Sequence, residues 1–160
     1  MEKNRVELTP KFTLTEDLGK LAKLLRMLGY DAAIYKSVNL FTIIRIAKKE
    51  RRIFVTRSQK KVKSNQKFSR ILIKSENHLE QLREMKDYIR LNEEHIFTRC
   101  IICNKLLFDI SKNKIIDLIP EFIYQNHSNF KVCRKCGKIF WKGTHYQNMK
   151  AELIKMFFYK

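Results

Sequence analysis

The sequence predicts an α/β domain with a mainly parallel sheet, followed by a small metal-stapled module. Three observations carry that expectation. Strand-like runs alternate with amphipathic helical runs through the first ninety or so residues, the pattern of βαβ units with helices on both faces of a sheet. All four cysteines fall in two CxxC pairs, Cys100/Cys103 and Cys133/Cys136. The 160-residue chain carries 34 Lys and Arg against 16 Asp and Glu, a formal net charge of +18.

The elements follow in order. "KFTLT" (11–15) alternates apolar and polar residues and predicts a short strand. "EDLGKLAKLLRMLGY" (16–30) places Leu18, Leu21, Leu24, Leu25 and Leu28 at helical spacing. Glu16 and Asp17 stand in its first turn, where the helix dipole favours acids, and Gly29 ends it. "DAAIYKS" (31–37) is a second strand, and "NLFTIIRIAKKE" (39–50) a second amphipathic helix with Asn39 as N-cap. "RRIFVT" (51–56) predicts a buried strand, "RSQKKVKSNQKFS" (57–69) a polar loop or mobile helix, and "RILIKS" (70–75) a fourth strand. "ENHLEQLREMKDYIRL" (76–91) predicts a helix with Leu79, Leu82, Met85 and Ile89 on one face. "NEEH" (92–95) marks the boundary, giving domains 1–92 and 93–160. Parallel sheets bind ligands beyond the carboxyl ends of their strands. Those ends fall at Thr15, near Lys36, and at Thr56-Arg57-Ser58.

Composition excludes some classes. The apolar fraction of 44% argues against wholesale disorder. "MEKNRVELTPKF" lacks the apolar core of a secretory leader, and no apolar run is long enough to span a membrane. The cysteines are therefore expected in a reducing cytoplasm, where paired CxxC motifs bind metal more often than they form disulfides. Four thiolates complete a tetrahedral structural zinc site. Asn104 and Gly137, which follow the pairs, tolerate the left-handed backbone such turns need. His145 is a candidate fifth ligand, but four cysteines leave it a packing or hydrogen-bonding role.

The charge points to a polyanion, most often nucleic acid. Thirteen basic residues lie between Lys36 and Lys74, opposed only by Glu50. The candidate contacts are Arg45, Lys48, Lys49, Arg51, Arg52, Arg57, Lys60, Lys61, Lys63, Lys67 and Arg70, with Lys138, Lys142 and His145 near the second cysteine pair. Phe140, Trp141 and Tyr146 alternate with Lys138 and Lys142, and could stack on bases or form a small core.

"LGKLAKLLRMLGYD", "IAKKERRIFVTR", "RCIICNKLL", the "IPEF" approach and "CRKCGKIFWKGTHYQNM" together resemble the Mut7-C RNase family over roughly residues 11 to 150. The resemblance implies a three-layer PIN-like nuclease domain followed by a zinc ribbon. It implies carboxylates that hold Mg²⁺ or Mn²⁺ against the scissile phosphate. At the positions where the family carries those acids, this chain has Thr15, Asn39 or Leu40, and Ser58. Hydroxyls and an amide are poor substitutes for the anionic oxygens that Mg²⁺ requires. The sequence therefore favours a catalytically silent module that binds RNA or a ribonucleoprotein. One alternative is a metal-dependent ribonuclease using displaced acids such as Glu16, Asp17 or Asp31. A second alternative is a protein-interaction scaffold.

Overall fold

All three residues of β1 (Phe12–Leu14) are buried, Thr13 included. Since successive strand residues point to opposite faces, β1 must be covered on both. It is the second strand of a parallel sheet of order β2-β1-β3-β4, formed with β2 (Ala32–Ile34), β3 (Ile53–Thr56) and β4 (Arg70–Leu72). The structure is a computed structural model that describes residues 10–36, 38–60 and 68–158. The chain falls into two units, one comprising residues up to Leu25 and Tyr30–Arg90, the other Arg26–Gly29 and Leu91 onward.

From β1 the chain runs through α1 (Gly19–Met27) to β2 on one side, then through α2 (Leu40–Lys49) back across β1 to β3. Right-handed crossovers in opposite directions put α1 and α2 on opposite faces. The register agrees. Thr13 stands beside Phe54, and Phe54 packs with Ile43, Ile44 and Ala47 of α2. Phe12, Leu14 and Val55 occupy the other face, all fully buried. Asn39 caps α2 by accepting the Thr42 N–H at 2.9 Å. The mixed α/β fold expected from the sequence is thus the fold observed.

Two elements differ from expectation. Glu16–Leu18 forms a separate 3₁₀ turn ahead of α1. The third helix is shorter than its apolar spacing predicts: α3 covers only His78–Glu84. Asn77 caps it through the N–H groups of Leu79 and Glu80. At its other end the Glu84 carboxylate accepts the N–H groups of Lys74 (2.9 Å) and Ser75 (2.8 Å). Tighter i→i+3 turns then deliver Met85 and Ile89 to the core, and these preserve the apolar spacing without an α-helix.

Arg52 ties the amino ends of three strands. Its guanidinium donates to both carboxylate oxygens of Asp31 (2.7 and 3.1 Å), to Glu50, and to the Phe12 carbonyl at 3.3 Å. Burial alone would lower its pKa, but the hydrogen bonds and charges of Asp31 and Glu50 raise it above the ordinary guanidinium value. Asp31, named above with Glu16 and Asp17, is thus tied into a structural ion pair. It precedes β2, at the end of the sheet opposite the carboxyl ends, and its oxygens are engaged by Arg52.

In the C-terminal unit, β5 (Phe108–Ile110), β6 (Phe130–Val132) and β7 (Ile139–Trp141) form an antiparallel sheet in chain order. α4 (Glu121–Asn126) lies between β5 and β6 in sequence, and α5 (Thr144–Phe158) follows β7. The short stretch Arg26–Gly29 is built into this unit. The Phe97 N–H donates to the Met27 carbonyl at 2.7 Å. Gly29 has φ +92° and lies so close to His95 that a Cβ would stand 2.4 Å from its carbonyl oxygen. No helix among the described residues is long and apolar enough to cross a membrane.

The Arg52–Asp31 pair is mostly buried, with side chains 11% and 19% exposed. Removing one partner leaves the other charge uncompensated, so Asp31→Asn is expected to destabilise the protein by about 2–3 kcal/mol. Arg52→Lys should also destabilise, because an ammonium cannot reproduce the two-pronged contact. Urea unfolding followed by circular dichroism checks both; an unchanged midpoint for Asp31→Asn would show the pair to be dispensable.

Candidate functional site

The C-terminal unit gathers its four cysteines through two matched turns. Asn104 N–H donates to the Cys100 carbonyl at 2.9 Å, and Gly137 N–H to the Cys133 carbonyl at 2.8 Å. Cys100 N–H donates to the Lys105 carbonyl and Cys133 N–H to that of Lys138, at 2.7 and 3.0 Å. Asn104 has φ 59° and Gly137 φ 72°, the left-handed backbone expected at these positions. Each turn aims two sulfurs at one point. The four Sγ atoms lie within 4.8 Å of one another, with Cys100 and Cys136 3.9 Å apart. A tetrahedron with Zn–S bonds of about 2.3 Å has edges of about 3.8 Å. The donor set is soft and tetrahedral, so these residues fit zinc and could hold one ion.

The thiols differ in acidity. Burial raises Cys133, but backbone N–H groups of Cys136 and Lys135 more than offset it and bring the thiol down to about 7. Desolvation and the Cys136 thiol push Cys103 up to about 12. A bound cation would favour the thiolate form of all four. His145 is not among the clustered ligands and is exposed. Phe140 packs against the cysteines with Leu107, so of the two roles read for it the core role is the one observed. Arg26 escaped the sequence reading. Its guanidinium donates to the carbonyls of Ile101 (2.8 Å) and Ile102 (3.1 Å), inside the first cysteine turn. No local signal ties a helical arginine to a loop so distant in sequence.

A second candidate region lies in the N-terminal unit, where the strand order reverses between β1 and β3. Thr15 follows β1 and donates its N–H to the Val55 carbonyl at 3.2 Å. Its hydroxyl is buried and makes no hydrogen bond. Thr56 Oγ1 accepts the Ser58 N–H at 3.1 Å, and Ser58 Oγ accepts the Lys60 N–H at 3.3 Å. Arg57 pairs with Glu76 at 2.9 Å, and Arg70 donates to the carbonyls of Ser58 and Lys60. The Asn39 oxygen is engaged in capping α2. Glu16 and Asp17 are exposed in the turn directly after Thr15. Among the described residues, the four cysteines are the one group of three or more His, Cys, Asp or Glu side chains near enough to share an ion.

The basic residues divide by role. Arg45, Lys49, Arg51 and Lys60 are exposed. Lys48 lies 5.2 Å from the Phe68 ring centroid, and Arg52 is engaged by two acids as above. Lys61, Lys63 and Lys67 lie outside the described residues. Lys138 and Lys142 are exposed, and Lys142 stands over Tyr146 at 5.7 Å.

The structure thus combines a parallel α/β unit with a unit whose four clustered thiols could hold zinc. The chain matches the Mut7-C RNAse domain family over residues 10–153; it belongs to that family. No curated protein and no solved structure matches it.

Protein purified without chelator is expected to contain about one zinc per chain by metal analysis, and Cys136→Ser to lose it together with the structure of residues 91–160, because a site with three thiolates is no longer closed. Zinc retained in full by Cys136→Ser would place the metal elsewhere.

Proposed function

We propose that this member of the Mut7-C family binds RNA or an RNA–protein particle in the cytoplasm and has given up metal-dependent cleavage. The reading divides the chain into a PIN-like domain, 1–92, and a zinc ribbon, 93–160, in which bound zinc supplies folding energy. One observation carries it: the carboxyl ends of β1 and β3 present Thr15, Thr56 and Ser58 in place of a carboxylate cluster. Mg²⁺ or Mn²⁺ would find neutral hydroxyls there, with Arg57 and Arg70 nearby. Two-metal hydrolysis needs anionic oxygens that fix the ions and neutralise charge developing on phosphate. The same substitution removes the repulsion that carboxylates exert on a phosphate backbone. The surface thus exchanges turnover for retention of the polyanion. The exposed cations Arg45, Lys49, Arg51 and Lys60 supply the grip, helped by Lys138 and Lys142.

A second reading, a ribonuclease with displaced acids, draws on the position of Glu16 and Asp17 immediately after Thr15. Their exposure in the first turn fits charge–dipole compensation equally well. A protein-interaction scaffold is a third reading.

Binding to single-stranded RNA is expected to weaken by about two orders of magnitude or more between low and moderate salt if six or more phosphates are contacted. A triple charge reversal, Arg45→Glu/Lys49→Glu/Lys60→Glu, should weaken it across sequences while leaving the circular dichroism spectrum unchanged. Binding unaffected by the reversal would move the interface away from this segment.

Single-turnover cleavage of labelled RNA in Mg²⁺ or Mn²⁺ is expected to stay at background, since loss of a carboxylate set removes several kcal/mol of transition-state stabilisation, at least about a thousandfold in rate. Metal-dependent cleavage that disappears in Glu16→Ala/Asp17→Ala would overturn the reading and make those two residues catalytic.

A further inference from the structure

The C-terminal unit contains a cavity of about 600 Å³ whose lining residues all belong to that unit. The volume lies within the range of small-molecule sites. The cavity is not the metal centre, since no cysteine lines it. Five aromatic rings, Phe97, Phe130, Phe140, Trp141 and Tyr146, form part of its lining, beside aliphatic and polar residues. The ring centroids of Phe97 and Tyr146 lie 4.6 Å apart with the planes inclined at 49°, so these two rings pack on each other at the cavity wall.

One end of the cavity is built for an anion. Gly143, Thr144 and His145 line it at the start of the 15-residue helix α5, where backbone N–H groups lack helical acceptors. Gly143 lets the Trp141 indole pack against this turn, because a Cβ there would stand 3.0 Å from the indole nitrogen. Lys142 adds a cation at the same end. Acids also line the cavity, yet two carry their own partners. Glu93 pairs with Lys150 at 2.7 Å, and Asp109 with Lys131 at 2.9 Å. The paired carboxylates can accept hydrogen bonds from a base edge, and Glu94 adds a third, exposed acid to the lining.

From this juxtaposition we infer that the cavity takes one unpaired nucleotide, its base against the aromatic rings and its phosphate at Lys142 and the start of α5. The inference rests on the RNA-binding reading for its source: the nucleotide is a splayed-out residue of a bound RNA. Stacking tolerates every base, so an aromatic slot suits single-stranded segments.

Trp141 is the chain's single tryptophan, so its fluorescence reports on the cavity directly. The full chain is titrated with AMP, GMP, CMP and UMP, with ribose 5-phosphate and inorganic phosphate as controls. At least one nucleotide is expected to change the emission saturably, the controls not at all, and a short single-stranded RNA to compete at lower concentration than the mononucleotide. Tyr146→Leu removes an aromatic face and Lys142→Glu reverses the exposed charge. Each is expected to weaken nucleotide binding at least about tenfold, with zinc content and circular dichroism unchanged. Lys142→Glu, a surface change, keeps the test valid if Tyr146→Leu fails to fold. Silent fluorescence with every nucleotide, equal response to ribose 5-phosphate, or undiminished binding by Lys142→Glu overturns the inference. Salt-sensitive RNA binding with Trp141 silent overturns the cavity alone and leaves the proposed function standing. Saturable nucleotide binding without any RNA binding supports the cavity and removes the proposed function.

Discussion

Parallel pairing on both sides of β1 is the constraint from which the N-terminal unit follows. Parallel neighbours cannot be joined by a tight turn, so each connection needs a crossover, and the fixed hand of crossovers assigns α1 and α2 to opposite faces. β1 is then sealed above and below, which is why Thr13 is as buried as Phe12 and Leu14. Reversal of direction at β1 also opens a crevice between the carboxyl ends of β1 and β3. The position of the candidate site is thus a consequence of strand order, before any side chain is chosen. Side chains decide only what the crevice can do, and here they are hydroxyls with arginines close by.

Much of this was legible in the sequence, for identifiable reasons. Alternation in "KFTLT" and helical spacing in "LGKLAKLLRMLGY" are properties of single elements, and each produced the expected element. The cysteine pairs were legible because ligand spacing within a turn is local. The third helix was overextended, because i→i+3 turns carry Met85 and Ile89 inward at nearly the same spacing as an α-helix, and because Glu84 spends its carboxylate on the preceding loop. Asp31 was weighed as a displaced acid because its partner Arg52 is twenty-one positions away and the pairing depends on strand order. Arg26 and the aromatic cavity were hidden for the same reason: both depend on contacts between segments far apart in the chain.

Charge in this protein is less available than composition suggests. Arg52 is engaged by Asp31 and Glu50, Arg57 by Glu76, and Arg70 by two carbonyls. These cations shape the sheet ends; they are held in place by the fold itself. The exposed remainder, Arg45, Lys49, Arg51 and Lys60, is what a polyanion would meet first. A net charge of +18 therefore overstates the grip and understates the structural work that arginine performs here.

The two cysteine turns also bear on how a metal ion would be captured. Within each turn the cysteines are neighbours in sequence, so either pair can capture a metal ion while the rest of the unit is still unformed. Joining the pairs closes the loop that carries α4 between β5 and β6. The entropy of that closure rises only with the logarithm of loop length, about 0.6 kcal/mol for each doubling. A bound metal would thus clasp a loop whose closure cost depends only weakly on its length. Segment 111–129, enclosed between the pairs, is anchored by packing of its own as well, since Ile115 is fully buried.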